Sequence, residues 1–195
     1  MTLRIVGLTG PIGVGKDTVA KYLAAQYGAT HLSFAHPIYQ IAEIVLGIPV
    51  DEQGTYKNHP FQCLGGQTLR QLHQRIGTDW FVDTFGKNFW IDHLDARMSS
   101  LLSDKNRRSL AVISDVRNIK DNAEAAWLRQ RGGHLIHLHG PHRREPGADH
   151  RSNTPVDFHP ATDSWVSNTG SMGDLFAAVD AVMSEQGIHK GDRDA

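Results

Sequence analysis

Apolar residues in this chain fall into short runs that alternate with stretches of helical periodicity, the pattern of buried strands followed by helices. Leu3 to Leu8 is the first run, centred on Ile5 and Val6 and bounded by Thr9-Gly10-Pro11, which predicts a buried strand. From Lys16, the residues Val19, Tyr22, Leu23 and Tyr27 recur at helical spacing and Gly28 marks the stop. His31 to Ala35 predicts a second strand. After it, Ile38, Ile41, Ala42, Val45 and Leu46 keep a helical repeat until Gly47 and Pro49.

Pro49 to Gly66 is polar and rich in Gly and Pro, which predicts a loop or small insertion able to move. Helical spacing resumes from Thr68 through Ile76, with Gly77 expected to interrupt it. A further helix is predicted over Phe81 to Leu102, burying Phe85, Phe89 and Leu94. Leu110 to Ile113 is wholly apolar and ends at Ser114-Asp115, as a central parallel strand delivering a carboxylate at its carboxyl edge would. Ala123 to Arg131 predicts a helix closed by Gly132-Gly133, Leu135 to Leu138 a strand, Pro141 to Pro160 a charged loop, Trp165 to Val166 a short strand and Leu175 to Met183 the last helix. The residues after Gly187 are expected to fray. This order implies a three-layer α/β arrangement, a five-stranded parallel sheet with helices on both faces, since right-handed crossovers place them there.

Composition narrows the function. Twenty Lys plus Arg against 21 Asp plus Glu leaves no global field to hold nucleic acid or an anionic membrane, so a small-molecule partner is expected. The lone Cys63 cannot form an internal disulfide, no apolar run reaches the roughly 18 residues of a membrane span, and residues 1–20 lack a signal-peptide pattern. A cytoplasmic protein of one domain over residues 1–186 is the expectation, and the residues leave a homodimer open.

The candidate chemistry begins at Gly10-Pro11-Ile12-Gly13-Val14-Gly15-Lys16-Asp17-Thr18, which has the Gly-x4-Gly-Lys spacing of a P-loop between a predicted strand and a predicted helix. Backbone N–H groups must approach phosphate oxygens closely there, side chains would obstruct them, and the helix N-terminus adds positive potential. The expected fold is therefore a P-loop NTPase domain holding ATP, with Lys16 on the β- and γ-phosphates. The common motif has Ser or Thr directly after the lysine, where this chain has Asp17. Whether Thr18, Asp17 or water completes a Mg²⁺ shell stays open, with Asp115 a further contact to that shell.

Several strings together resemble the phage-type deoxynucleoside monophosphate kinases, a branch of the adenylate-kinase-like P-loop kinases. They are Gly15 to Ala20, Leu32-Ser33-Phe34-Ala35 with Pro37, Leu69-Arg70 followed by Ile76-Gly77-Thr78-Asp79, Ser114-Asp115-Val116-Arg117 with Gly132-Gly133, and Asn168-Thr169-Gly170-Ser171. The resemblance implies transfer of the ATP γ-phosphate to a deoxynucleoside 5′-monophosphate, with Mg²⁺. It places Arg70 and Arg117 on the acceptor phosphate, where guanidinium forks match phosphate geometry. By the same likeness Ser33, Phe34, Ala35, Asp115 and His150 line the acceptor site, within an acceptor-binding insertion over about 36–105 and a lid over about 140–160.

The lid departs from the family pattern: Gly140 precedes Pro141 where relatives carry an arginine, and His150-Arg151-Ser152-Asn153 lacks their glutamate. Arg143, Arg144 and Arg151 are nearby cations able to take over the charge role. Trp80 and Trp90 fall where an aromatic face could stack on a base, beside Phe81. His134, His137, His139 and His142 cluster around one strand, but with no cysteine nearby they are expected to be hydrogen-bonded rather than metal-bound. A kinase for another phosphorylated acceptor, such as phosphomevalonate or dephospho-coenzyme A, and a nucleotide-operated switch module remain alternatives, because the cradle does not specify the acceptor.

Overall fold

The computed structural model describes residues 3–102, 110–118, 120–141 and 154–191. Five strands form one parallel sheet: β1 (Arg4–Thr9), β2 (Thr30–Leu32), β5 (Leu110–Ile113), β6 (His134–His139) and β7 (Asp163–Ser167). Their spatial order is β2-β5-β1-β6-β7. Strand β1 is central, with Val6 opposite Val112 of β5 on one side and Leu8 opposite Ile136 of β6 on the other. The connections leaving the adjacent strands β1 and β5 run in opposite directions, toward β2 and toward β6, so the crevice of the sheet opens at the carboxyl ends of β1 and β5.

Two cores follow from the two-residue alternation of the strands. Val6 and Leu8 face α1 (Lys16–Tyr27) and α8 (Met172–Glu185), meeting Val19, Leu23, Leu175 and Val179. Ile5 and Ile113 face the other way, onto Ile38 of α2 (His36–Leu46), Trp90 and Leu94 of α6 (Phe89–Leu102), and Leu128 of α7 (Ala123–Gln130). The sheet thus has helices on both faces, in three layers.

The segment between α2 and α6 differs in detail from the sequence reading. The stretch expected as a loop contains a short helix, α3 (Gln53–Tyr56), and a two-stranded ribbon of β3 (Pro60–Phe61) and β4 (Gln67–Thr68). Thr68 then caps α4 (Leu69–Gln74) through a capping box with Gln71. Gly77 does not interrupt the helix. Chain continues through a π-helical turn, Arg75–Trp80, into α5 (Phe81–Phe85), and the break comes at Gly86, whose φ of 102° suits glycine alone. Gly77 has a different task, since a Cβ there would lie 2.7 Å from Ile38 Cδ1, and its absence lets α2 pack close. The break also turns Phe85 outward, 63% exposed rather than buried as expected. At the other end, order extends past Gly187: Ile188 is buried in the α1–α8 core, its N–H donates to Met183 O at 2.9 Å, and Lys190 pairs with Asp180 at 2.6 Å. No helix among the described residues is long and apolar enough to cross a membrane.

Candidate active site

After Thr9 the chain leaves β1 into a loop in which Gly10, Gly13 and Gly15 have φ of 139°, 79° and 103°. At Gly10 the requirement is also spatial, because a Cβ would run into the Leu138 carbonyl of the neighbouring strand. Val14 is wholly buried against α1 and α8 and so offers the loop only its main chain. The Asn168 side chain donates to Val14 O at 2.9 Å, and the Asn168 N–H donates to His139 O at 2.8 Å, tying the loop to the carboxyl ends of β6 and β7. Lys16 Nζ lies over the loop, donating to Gly10 O (2.7 Å) and Pro11 O (2.8 Å). Exposed Asp17 and half-buried Thr18 occupy the first turn of α1.

A cavity adjoins this loop at Ile12. Its walls are Phe34, Ala35, Ile38 and Tyr39 from the start of α2, Lys57 from the turn after α3, Arg70, His73 and Gln74 from α4, and Gly77 and Thr78 from the π-helical turn. Trp90, Asp115, Arg117 and Glu124 complete it. Residues expected from sequence at scattered positions therefore share one cavity: Phe34, Ala35, Arg70, Trp90, Asp115 and Arg117.

Asp115 brackets the turn after β2. Its Oδ1 accepts the Phe34 N–H (2.9 Å), and its Oδ2 accepts both the Ala35 N–H (2.8 Å) and the Ser33 hydroxyl (2.8 Å). Ser33 Oγ also accepts from the Ala35 N–H at 3.1 Å, so Ser33 shapes the wall rather than lining it. Trp90 is almost wholly buried, its indole N–H donating to Gly77 O at 2.7 Å. Trp80 falls elsewhere: it is 66% exposed, edge-on to Phe81, and not part of the cavity wall, because the end of the π-helical turn points it away from α2.

The cavity is electropositive. Burial, then the Arg117 guanidinium, lowers the Lys16 ammonium from its ordinary 10.5 to about 8, with Asp17 and Asp115 opposing. Lys57 is lowered by burial, then by Arg70 and Arg117, and Arg70 by burial and then Arg117. Four cations therefore repel one another across one space. Two carboxyl groups line the same cavity: Asp115 is engaged by three donors, and burial, reinforced by Asp115, raises the Glu124 carboxyl well above the ordinary range. Glu124 Oε2 accepts the Arg117 N–H at 2.7 Å, which fixes the backbone that carries that arginine. Phosphate dianions are the ligands such a space accommodates at least cost.

Lys57, Tyr39, His73, Gln74 and Glu124 were not legible as site residues. Their only sequence signal was membership of the acceptor-binding insertion expected over about 36–105 or, for Glu124, a carboxylate seven residues beyond Arg117. Arg143, Arg144 and His150, like His142 and Arg151, lie outside the described residues. His134 and His137 are hydrogen-bonded at Nε2, to Ser164 Oγ and Asp163 Oδ2, each at 2.9 Å.

A deoxynucleotide monophosphate kinase family model matches residues 61–179. A protein of Acanthamoeba polyphaga mimivirus that carries the deoxynucleotide monophosphate kinase name is 34% identical over 148 residues, 70% of this chain and 74% of that protein. The deoxynucleoside-5′-monophosphate kinase of Escherichia phage T5 is 33% identical over 91 residues, 42% of this chain and 36% of its own length. Among solved structures, an unliganded sugar kinase from Janibacter sp. HTCC2649 superposes over 96% of each chain with a TM-score of 0.52 at 16% identity, a likeness of fold alone.

Proposed function

We propose, from the premise that this chain belongs to the deoxynucleotide monophosphate kinase family, that it transfers the γ-phosphoryl group of ATP to a deoxynucleoside 5′-monophosphate. The products are the deoxynucleoside diphosphate and ADP. The observation that carries the reading is the single cavity in which Arg70, Arg117 and Lys57 stand across from the Gly10–Lys16 loop. Donor phosphates lie along the loop N–H groups and Lys16, and the acceptor phosphate lies on the arginines. An acceptor phosphate oxygen attacks the γ-phosphorus as the bond to the β–γ bridging oxygen breaks, and the electron pair leaves on ADP. With a second pKa of about 6, a phosphate monoester is already a dianion at neutral pH, so no side chain need remove a proton. Catalysis is then positioning and charge stabilisation, with closure against water limiting ATP hydrolysis.

The donor set near the loop fits Mg²⁺. The Thr18 hydroxyl and the Asp17 and Asp115 carboxylates are the candidate holders, Asp115 through water. Mg²⁺ ordinarily takes one or two carboxylates from the protein and the rest of its ligands from water and substrate phosphates. When bound, Mg²⁺ supplies charge neutralisation on the β- and γ-oxygens. Roles for Arg143, Arg144 and His150, which lie outside the described residues, belong to the same proposal, as does a single kinase domain.

A coupled assay of ADP release with ATP, Mg²⁺ and each deoxynucleoside monophosphate in turn tests the reading. Acceptor-dependent turnover with at least one of them is the expected result. Turnover only with dephospho-coenzyme A or phosphomevalonate, or none with any acceptor, overturns it.

A further inference from the structure

We infer that His73 determines specificity in the acceptor pocket: its ring presents Nδ1 as an obligatory hydrogen-bond acceptor, and the group it reads is the 3′-hydroxyl of the acceptor's deoxyribose. The inference rests on the acceptor-site reading above and adds a residue and a recognised group to it.

Gln53 of α3 is 3% exposed, and its side-chain amide donates to two main-chain carbonyls, Tyr39 O at 2.8 Å and Ile48 O at 3.0 Å. A carbonyl can only accept, so these two contacts fix which end of the amide is nitrogen. The Gln53 Oε1 that remains faces His73 Nε2 at 2.9 Å. An amide oxygen can only accept as well, so the ring proton resides on Nε2 and the lone pair on Nδ1. Burial, then Lys57, Arg117 and Arg70, holds the imidazole neutral by lowering its pKa to about 4. The tautomer therefore does not change across any pH at which the protein would work.

Nδ1 has no donor among the described residues. Besides Gln53, the ring's contact is Tyr39, edge-on at 4.8 Å between centroids. It is not sealed off either, because Trp127 Nε1 is the one wholly buried side-chain N or O atom without a partner among the described residues. His73 lines the cavity while Gln53, which holds Nε2, does not, so Nδ1 is the ring nitrogen left for what binds there. An acceptor beside three cations is ill suited to phosphate and suited to a neutral donor.

Position selects which donor. His73 follows Arg70 by three residues on α4, so their Cβ atoms are about 5–6 Å apart on one helix face. With Arg70 on the 5′-phosphate, the group one furanose ring away is the 3′-hydroxyl, whereas the base edges lie further off. Gln53 acts here as a positioning residue for the ring.

The test compares kcat/KM for a deoxynucleoside monophosphate and its 2′,3′-dideoxy analogue in the wild-type chain, His73→Phe and His73→Asn. The wild-type enzyme should prefer the 3′-hydroxyl by about ten- to a hundredfold, the effect of one buried hydrogen bond. His73→Phe should bring that ratio within about threefold of unity while leaving the KM for ATP unchanged. His73→Asn, whose Oδ1 takes the place of Nδ1, should restore part of the preference. In the unmutated protein, ¹⁵N NMR of the ring should show Nε2 protonated and Nδ1 bare between pH 6 and 8, a readout that does not depend on a variant folding. A dideoxy ratio indifferent to both substitutions, a shift in base preference without a shift in that ratio, or a proton on Nδ1 overturns this inference alone. An enzyme that phosphorylates no deoxynucleoside monophosphate overturns the acceptor reading and this inference with it.

Discussion

The Gly10–Thr18 loop and the cavity beside it share one crevice but are built by opposite means. The loop is nine consecutive residues, Gly10 to Thr18, whose main-chain path is set by three glycines of positive φ. The cavity draws on α2, the turn after α3, α4, the π-helical turn, α6, the segment after β5 and α7, and its working groups are side chains. A site made of contiguous backbone depends on local conformation. One made of side chains from many elements depends on every packing contact that holds those elements in register. The first tolerates many changes nearby and few within it, and the second offers many separate points at which the acceptor can be selected.

Substitutions should break this pairing in descending order. Lys16→Ala should reduce phosphoryl transfer by at least about a hundredfold through lost charge stabilisation. Its thermal midpoint should be unchanged or raised, because the lysine charge is held at a cost in the folded chain. Near-normal turnover in the folded variant would remove Lys16 from the chemistry. Next, Arg70→Ala or Arg117→Ala should lower kcat/KM for the acceptor by roughly ten- to over a hundredfold, the worth of about 1.5–3 kcal/mol in charge-assisted hydrogen bonds. ATP affinity measured by calorimetry without acceptor should barely move, and lysine at either position should rescue only partly. Weakened ATP binding with an unchanged acceptor KM would transfer the arginine to the donor side.

Asp115→Asn sits between the two regions. An amide cannot accept at both of its ends, so the Phe34 and Ala35 N–H groups would lose part of their bracket. Urea unfolding should report a loss of about 1–3 kcal/mol, and the acceptor KM should rise by roughly tenfold. Because the same carboxylate is a proposed Mg²⁺ holder through water, added Mg²⁺ should repair part of the rate deficit and none of the stability loss; a deficit indifferent to Mg²⁺ would confine Asp115 to the bracket.

The smallest expected effect is that of pH. Lys16 titrates at about 8 in the folded chain against an ordinary 10.5, so the unfolded chain binds more protons between those values. The destabilisation due to the charged lysine is therefore fully present below pH 8 and is relieved as pH rises through 8 to 10.5. Nucleotide phosphate favours the charged form, so binding takes up a proton in that window. ATP affinity should then fall several-fold from pH 8 to 9, with about tenfold per pH unit as the limit. Calorimetric titration of wild type and Lys16→Arg checks this, since arginine does not titrate there. An equal fall in both would assign the dependence to another group.

The order of elements was legible in the sequence because burial on both faces writes a central strand as a continuous apolar run and a helix as a helical period, and Ile5 to Leu8 and Val19 to Tyr27 carry these openly. The loop was legible for a related reason, in that glycine spacing before a lysine is itself the local conformation. Less of the insertion could be read. Gly77 and Gly86 look alike in the sequence, yet Gly77 admits Ile38 into a continuing helix while Gly86 ends one. Trp80 and Trp90 are equally aromatic, and only the path of the chain sends one to the surface and the other beneath the cavity.

By itself, then, the sequence determined the α/β/α layering, the glycine loop, and the strings that bear Arg70, Asp115 and Arg117. Tertiary structure alone decided that Lys57 joins those cations, that Glu124 holds the Arg117 backbone, and that Gln53 sets the tautomer of His73. The reason is range. Propensity and hydrophobic period act over a few residues, whereas a buried carboxyl or a fixed imidazole takes its state from partners that only the folded chain brings within about 3 Å.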